Sequence, residues 1–121
     1  MRKENSTASI NDKKLLSNCP LQFAMSMIEG KWKILIIAYI HQKDNRFSLL
    51  KKRMPSITDK MLSQQLRELE NAGLISRHIF QEIPPRVEYS LTKACKSLVP
   101  ALVKINEWGV SQKKQQRAVA A

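Results

Sequence analysis

The strongest constraint on the fold lies in the middle of the chain, where a proline separates two short helical patterns between residues 46 and 73. Pro55 ends the first pattern, because the residue before a proline avoids helical backbone angles. The second pattern runs over residues 58–72, with Thr58 as its expected N-cap and Gly73 as its left-handed C-terminal cap. One of its sides is apolar at helical spacing, with Leu62, Leu66 and Leu69. The sequence therefore predicts two helices joined by a tight turn.

The opposite side of the second predicted helix is polar at the same spacing, with Lys60, Ser63, Gln64 and Arg67. A helix fits the major groove of B-DNA, where all four base pairs can be told apart. We expect Gln64 to pair with adenine, and Arg67 or Lys60 to contact guanine or phosphate. Ser63 and Thr58 are expected to contact phosphate. The alternative is an ordinary solvated helix face.

A strong positive charge accompanies this helix pair. The chain has 21 basic and 10 acidic residues and a formal net charge of +11, which points to a polyanionic partner such as nucleic acid. Seven basic and two acidic residues lie between residues 43 and 67. On the outer side of the first helix, Ser48, Lys51 and Lys52 are expected to contact backbone phosphate. A membrane surface is disfavoured as the partner, since no basic helix carries a large exposed apolar face.

Two further helical patterns precede the helix pair. Pro20 opens the first of them at a position where its missing N–H is not needed, and Gly30 ends it. The apolar face of this helix is Leu21, Ala24, Met25 and Ile28. The second is predicted to be the central core helix, with apolar residues at Trp32, Leu35, Ile36, Tyr39 and Ile40.

After the helix pair the pattern changes to the alternation typical of strands. Leu74 to Phe80 and Val87 to Leu91 are predicted strands, and the two prolines between them fit a hairpin tip, because proline cannot donate a hydrogen bond within a sheet. Arg86 follows these prolines and is expected to reach a phosphate or the minor groove. The alternative for Arg86 is a salt bridge with Glu82 or Glu88. The hairpin is predicted to be the wing of a winged helix-turn-helix.

A final helix follows the hairpin, with Thr92 as its expected N-cap. Pro100 lies inside it and is predicted to kink the helix or to displace its start. The apolar stripe of this helix is Leu98, Leu102, Ile105 and Trp108. This is more apolar surface than one small winged domain can cover, so the stripe is predicted to be a dimer interface. The alternative is a helix that packs into the core of its own chain.

The order of these elements predicts an α+β fold, mainly α: a winged helix-turn-helix with a two-stranded wing. We expect a flexible basic arm at residues 1–18, the winged-helix domain at 19–110 and a polar, frayed tail at 111–121. No apolar run approaches the roughly 20 residues that span a membrane, and the polar start does not read as a signal peptide, so the expected location is the cytoplasm. The two cysteines and two histidines lack metal-ligand spacing, and no phosphate loop or carboxylate cluster indicates an enzyme. We therefore expect no cofactor and no metal.

Four segments together resemble a known family. They are CPLQFAMSMIEGKWKILII at 19–37, RFSLLKKRMPSITDKMLSQQLRELENAGLISR at 46–77, PPRVEYSLT at 84–92 and SLVPALVKINEWG at 97–109. In this order they resemble the HxlR-type bacterial transcriptional regulators, a branch related to the MarR group. The resemblance implies a homodimer, built from the first and last helices, that binds double-stranded DNA at a pseudo-palindromic operator. We expect the regulator to be a repressor. Family members usually have glycine at the position of Cys95.

Cys19 is the candidate for regulation. It begins the first helix, where backbone N–H groups favour the thiolate, and Lys13 and Lys14 are near it in sequence. In some members of the family this position senses oxidants or electrophiles. A bridge from Cys19 to Cys95 of the partner subunit is a further candidate, and an inert packed thiol is the alternative. Two other function classes stay open: a non-specific architectural DNA-binding protein and a winged-helix protein-interaction module. A regulator controlled by a small-molecule ligand without thiol chemistry is a further alternative.

Overall fold

The computed structural model describes residues 19–120, so the expected basic arm at residues 1–18, with Lys13 and Lys14, lies outside the described residues. The elements are α1 (Pro20–Ile28), α2 (Lys33–His41), α3 (Phe47–Arg53), α4 (Asp59–Asn71), β1 (Ile75–Phe80), β2 (Arg86–Leu91), α5 (Lys93–Lys96) and α6 (Val99–Ala120). The fold is mainly helical, with one two-stranded antiparallel sheet. This order confirms the predicted winged helix-turn-helix. None of the helices within residues 19–120 combines the length and the apolar character needed to cross a bilayer.

The core forms around α2, which contacts α3, α4 and β2. The helix pair contributes Leu50, Met54, Ile57 and the three leucines of α4, all of them buried. One prediction for α2 is wrong: Leu35 is 37% exposed, whereas Ile37, which was not predicted to be in the core, is fully buried. The physical reason is that elements cover α2 on more than one side, so the neighbouring residues Ile36 and Ile37 are both buried. A single helical stripe therefore underestimates how much of α2 is enclosed.

Both ends of α4 are capped as predicted. The Thr58 hydroxyl accepts a hydrogen bond from the backbone N–H of Met61 at 3.0 Å. At the other end Gly73 has a φ of +77°, the left-handed conformation that favours glycine. The N–H of Leu74 donates to the carbonyl of Leu69 at 3.0 Å, and the N–H of Gly73 donates to Glu70 at 3.0 Å. These two bonds form a Schellman motif, so the ends of α4 are defined by local chemistry.

The β-hairpin is held against the helix pair at its base. Its register runs from Ile75 opposite Leu91 to Phe80 opposite Arg86. The backbone N–H of Tyr89 donates to the carbonyl of Asn45, just before α3, at 2.8 Å. These contacts set the position of the wing relative to α3 and α4.

The predicted final helix is divided into two helices, α5 and α6, and α6 extends further than predicted. Thr92 caps α5, and Pro100 lies in the first turn of α6, where a missing N–H is tolerated. The predicted displacement of the helix start by Pro100 is therefore confirmed. The prediction of a frayed tail is wrong for residues 111–120, because α6 runs through Ala120. Its last turns are rich in Gln, Lys, Arg and Ala, which have high helix propensity, and they accommodate a single glycine at 109.

One ion pair joins the beginning of α2 to α4. The Nζ atom of Lys33 donates to Oε1 of Glu68 at 2.7 Å, and the Lys33 side chain is only 13% exposed. The amide nitrogen of Gln64 donates to the other oxygen of Glu68 at 3.0 Å. The hydrogen bond from Lys33, followed by that from Gln64, lowers the pKa of Glu68. The contact therefore fixes α4 on the core through a charged, oriented hydrogen bond.

We predict that Lys33→Met raises the pKa of Glu68 toward the ordinary glutamate value, because it removes the largest cause of the shift. Carbon-detected NMR titration of the side-chain carboxyl groups measures this directly. Since the pKa of Glu68 is lowered in the folded state, its stabilising effect is present above the unfolded-state pKa and is lost as the pH falls through the folded-state pKa. Lys104→Met, in an exposed pair with Glu107, is the control and leaves Glu68 unchanged. An identical Glu68 titration in Lys33→Met would contradict the ion pair.

Candidate nucleic-acid interface

The outward face of α4 is continuous and polar. The side chains that line it are all exposed: Lys60, Ser63, Gln64 and Arg67. The opposite face is buried, since Leu62, Leu66 and Leu69 are at most 2% exposed. The two-sided helix predicted from the sequence is therefore confirmed. A rigid helix with such a face has the dimensions to enter the major groove of B-DNA.

The side chains on this face differ in how they are engaged. The Gln64 amide nitrogen donates one of its two protons to Glu68, so a bidentate contact with adenine would use the second proton together with the amide oxygen. Within residues 19–120, neither Lys60 nor Arg67 forms an ion pair, so both can turn toward an anion or a guanine edge. Arg67 and Lys60 therefore have no ion pair to break on contact with DNA, whereas Gln64 is oriented by its bond to Glu68.

The residues around the helix pair have mixed roles. Ser48 and Lys52 are exposed beside the turn, as a phosphate contact requires. Lys51 is half-buried; its Nζ atom donates to the carbonyl of Ile57 and lies 3.6 Å from Asp59. Lys51 therefore bridges α3 to the start of α4 and is less available to phosphate than predicted. The Thr58 hydroxyl oxygen accepts from Met61 and keeps its own proton for donation.

Arg86 is paired within the wing. Its guanidinium is 3.4 Å from the carboxylate of Glu82 and 3.1 Å from that of Glu88, and it lies over the ring of Phe80 at 4.2 Å. The Nε atom is buried and close to Glu88, but without hydrogen-bond geometry. Glu88 is also 3.5 Å from Arg46, so it links the wing to the start of α3. The salt-bridge alternative for Arg86 is therefore what the structure contains, and a phosphate contact would have to displace these carboxylates.

A polar cleft of about 410 Å³ lies between α4 and the base of the wing. Its lining residues are Ser63, Leu66, Arg67, Glu70, Arg77 and Tyr89. The sequence carries no signal that marks Tyr89 or Glu70 as interface residues, because residues 87–91 alternate as an ordinary strand and Glu70 lies near the end of a helix. The antiparallel register, which places Tyr89 opposite Arg77, is the signal that brings these side chains together.

The two cysteines lie in different environments. Cys19 is the N-cap of α1, is partly exposed, and makes no capping hydrogen bond with its side chain. Cys95 is fully buried in the core, and this burial raises the pKa of its thiol. A bridge from Cys19 to Cys95 of the partner subunit would require the core to open. The environment of Cys95 therefore does not support the expected role for this residue.

Apolar side chains remain uncovered on α1 and α6. Leu98 and Leu102 are half-buried and pack against the core, so for these two the intramolecular alternative applies. Ile105 is 53% exposed and Trp108 is 66% exposed. On α1 only Ile28 is buried, and three large side chains are exposed: Leu21, Phe23 and Met25. Two helices thus present apolar surface that the described chain does not cover.

Comparison with known proteins places this geometry in a family. A sequence model described as HxlR-like helix-turn-helix matches residues 27–117. An uncharacterized HTH-type transcriptional regulator of Methanothermobacter thermautotrophicus is 46% identical over 91 residues, covering 75% of this chain and 70% of that protein. The redox regulator HypR in its reduced form has a similar structure, with a TM-score of 0.75 and 38% identity over 83% of this chain and 99% of that chain. HypR in its oxidized form has a TM-score of 0.70 and 42% identity, over 77% and 96% of the two chains. The chain therefore belongs to the HxlR-like family of DNA-binding, winged helix-turn-helix transcriptional regulators.

Proposed function

We propose that this protein is a homodimeric repressor that binds a pseudo-palindromic operator through α4. The observation that carries the proposal is the exposed polar face of α4, held outward by the buried leucines on its other side. In this proposal Lys60, Gln64 and Arg67 contact base edges or phosphate in the major groove. Ser63, Thr58, Ser48 and Lys52 contact the backbone. Repression follows because a dimer that occupies a promoter blocks access of RNA polymerase to the same DNA.

The uncovered apolar surface of α1 and α6 supports a homodimer. Ile105 and Trp108 on α6, with Leu21 and Phe23 on α1, would be buried between two copies of the chain. Apolar surface of this kind is typical of subunit interfaces. Two-fold symmetry would place the two copies of α4 about one turn of DNA apart, near 34 Å.

The position of Cys19 supports control by thiol oxidation or by electrophiles. Cys19 is partly exposed and lies directly before α1, close in sequence to the proposed dimer surface. A modification there would change the packing of α1 and so the spacing of the two copies of α4. The similarity to HypR, a redox regulator solved in both reduced and oxidized forms, favours this control.

A second form of control is favoured by a different observation. A groove of about 210 Å³ lies between α2 and α6, with mainly apolar walls that include Ile37, Leu102 and Val103. His41 and Asn106 place polar groups at the same groove. Apolar walls with a few polar groups are typical of small-molecule sites. Control by a small-molecule ligand without thiol chemistry is therefore the alternative for regulation.

We predict that combining Gln64→Ala with Arg67→Ala removes most of the preference for the operator over random DNA, because each bidentate base contact contributes about 1–3 kcal/mol of discrimination. Selection from a random DNA library identifies the operator, and gel-shift titration of operator and random duplexes gives the preference. Lys52→Ala is the matched control: it weakens binding to all sequences alike and lowers the salt slope by about 1. Unchanged operator preference in the double variant would refute the role of α4. A wild-type protein that binds random DNA as tightly as any selected sequence would instead indicate an architectural DNA-binding protein.

We predict that Trp108→Glu converts the dimer into a monomer, because it places a charge in the centre of the proposed interface. Light scattering coupled to size-exclusion chromatography measures the mass of each species. Lys104→Glu, at an exposed charged position of the same helix, leaves the dimer intact. A monomeric wild-type protein at micromolar concentration, or a dimeric Trp108→Glu variant, would contradict the interface.

We predict that diamide with added glutathione lowers operator affinity of the wild-type protein, because diamide is reduced to its hydrazine as Cys19 and glutathione form a mixed disulfide, and that Cys19→Ser abolishes this response. Gel-shift titration with and without diamide, followed by re-reduction, provides the measurement. Cys95→Ala retains the response, because Cys95 is buried and its raised pKa disfavours the reactive thiolate. A Cys19→Ser variant that still loses affinity on oxidation would exclude Cys19 as the sensor. A wild-type protein whose operator affinity does not change on oxidation would favour the ligand alternative.

A further inference from the structure

The polar cleft between α4 and the wing is built from two independent elements. Ser63, Arg67 and Glu70 line it from the outer side of α4. Arg77 and Tyr89 line it from the wing, where they are directly opposite each other across β1 and β2. The cleft therefore joins the exposed face of α4 to the base of the hairpin.

The wing side of the cleft is held in place. The backbone N–H of Tyr89 is bonded to Asn45, and the Tyr89 side chain is half-buried. Burial raises the pKa of Tyr89, so its hydroxyl keeps its proton and can donate at neutral pH. The charge of Arg77 lowers the pKa of Tyr89 and the charge of Glu70 raises it, so the three side chains lie close enough to interact.

We propose that this cleft binds one phosphodiester group of the operator backbone, with Arg77 and Tyr89 as the wing-side hydrogen-bond donors and Ser63 as the donor from α4. The inference rests on the proposed function, since it assumes that α4 lies on DNA. Arg77 and Tyr89 would both contact this phosphodiester group. Their contact would fix the distance between α4 in the major groove and the DNA strand beside it.

The chemistry of the cleft favours a phosphodiester as the occupant. Two arginines face one carboxylate, so the cleft has a net positive charge, and two hydroxyl groups add uncharged donors. The cleft is continuous with Arg67 and Ser63 on the face of α4, so an anion bound there would belong to the strand that borders the groove occupied by α4.

Glu70 is the competitor for this anion. Its carboxylate is 3.9 Å from Nε of Arg77, and both side chains are more than 40% exposed, so the ion pair is loose and solvated. A phosphodiester oxygen can replace it with a shorter, charge-assisted hydrogen bond. Removing the charge of Glu70 should therefore strengthen binding to any DNA without changing base preference.

The test replaces operator phosphates one at a time with uncharged methylphosphonates and measures the affinity of the full-length protein for each duplex. Neutralisation should weaken binding at each contacted phosphate, and for the wild type we expect one of these positions in each half-site to be the phosphate in the cleft, where the loss is about tenfold, the effect of one charge-assisted hydrogen bond. In the Arg77→Ala variant, neutralising the same phosphate lowers operator affinity by about twofold or less, because the hydrogen bond from Arg77 to that phosphate is already absent. Tyr89→Phe, which removes only the hydroxyl, lowers operator affinity by about three- to fivefold.

Two controls separate this site from loss of folding and from the proposed function. Glu70→Gln raises affinity for operator and random DNA alike, a gain that misfolding cannot produce, and Lys104→Ala leaves the phosphate pattern unchanged. The inference is overturned if Arg77→Ala has the same methylphosphonate pattern as the wild type, or if Glu70→Gln does not strengthen binding. Absence of any operator preference in the wild-type protein would overturn the proposed function itself. Inorganic phosphate at matched ionic strength should not displace the operator; displacement at that ionic strength would instead identify a free-anion site.

Discussion

The structure depends on the burial of one side of α4. Leu62, Leu66 and Leu69 are at most 2% exposed, and burying each of them contributes about 1.5–3 kcal/mol. Rotation of α4 about its axis would expose these leucines and bury Lys60 and Arg67, whose charges are costly to remove from water. The hydrophobic core therefore determines which side chains face outward. The proposed DNA-binding face is therefore the side of α4 that the core leaves exposed.

Polar contacts then fix the remaining geometry around this helix. The ion pair of Lys33 with Glu68 joins α4 to the central helix, and the bond from Tyr89 to Asn45 joins the wing to the residues before α3. Within the wing, the carboxylate of Glu88 serves two arginines at once. Much of the positive charge near the wing is therefore neutralised by neighbours in the free protein. On α4, by contrast, Lys60 and Arg67 form no ion pair with any residue between 19 and 120, which favours contact through that helix first.

Local chemistry explains which parts of the fold could be predicted from the sequence. The caps at Thr58 and Gly73 and the leucine spacing of α4 depend on residues close together in the chain, and all three appear as predicted. The burial of Ile37 could not be predicted in this way, because it results from elements that pack on a second side of α2. The salt bridges of Arg86 join residues at most four positions apart, and the sequence already indicated them as the alternative to a DNA contact. The cleft at Tyr89, in contrast, depends on strand register and on helix docking together. Burial of Cys95 likewise results from tertiary packing, which its sequence neighbours do not indicate.

The central claim is that α4 lies in the major groove in two symmetry-related copies. Dimethyl sulfate methylates guanine N7, an atom exposed only in the major groove, so protection from methylation reports insertion of α4 directly. At saturating protein, we predict protection of guanines in two blocks whose centres are about one helical turn apart, with unprotected guanines between them. Full occupancy of the operator without protection of any guanine N7 would show that the protein binds DNA through another surface and would contradict the account.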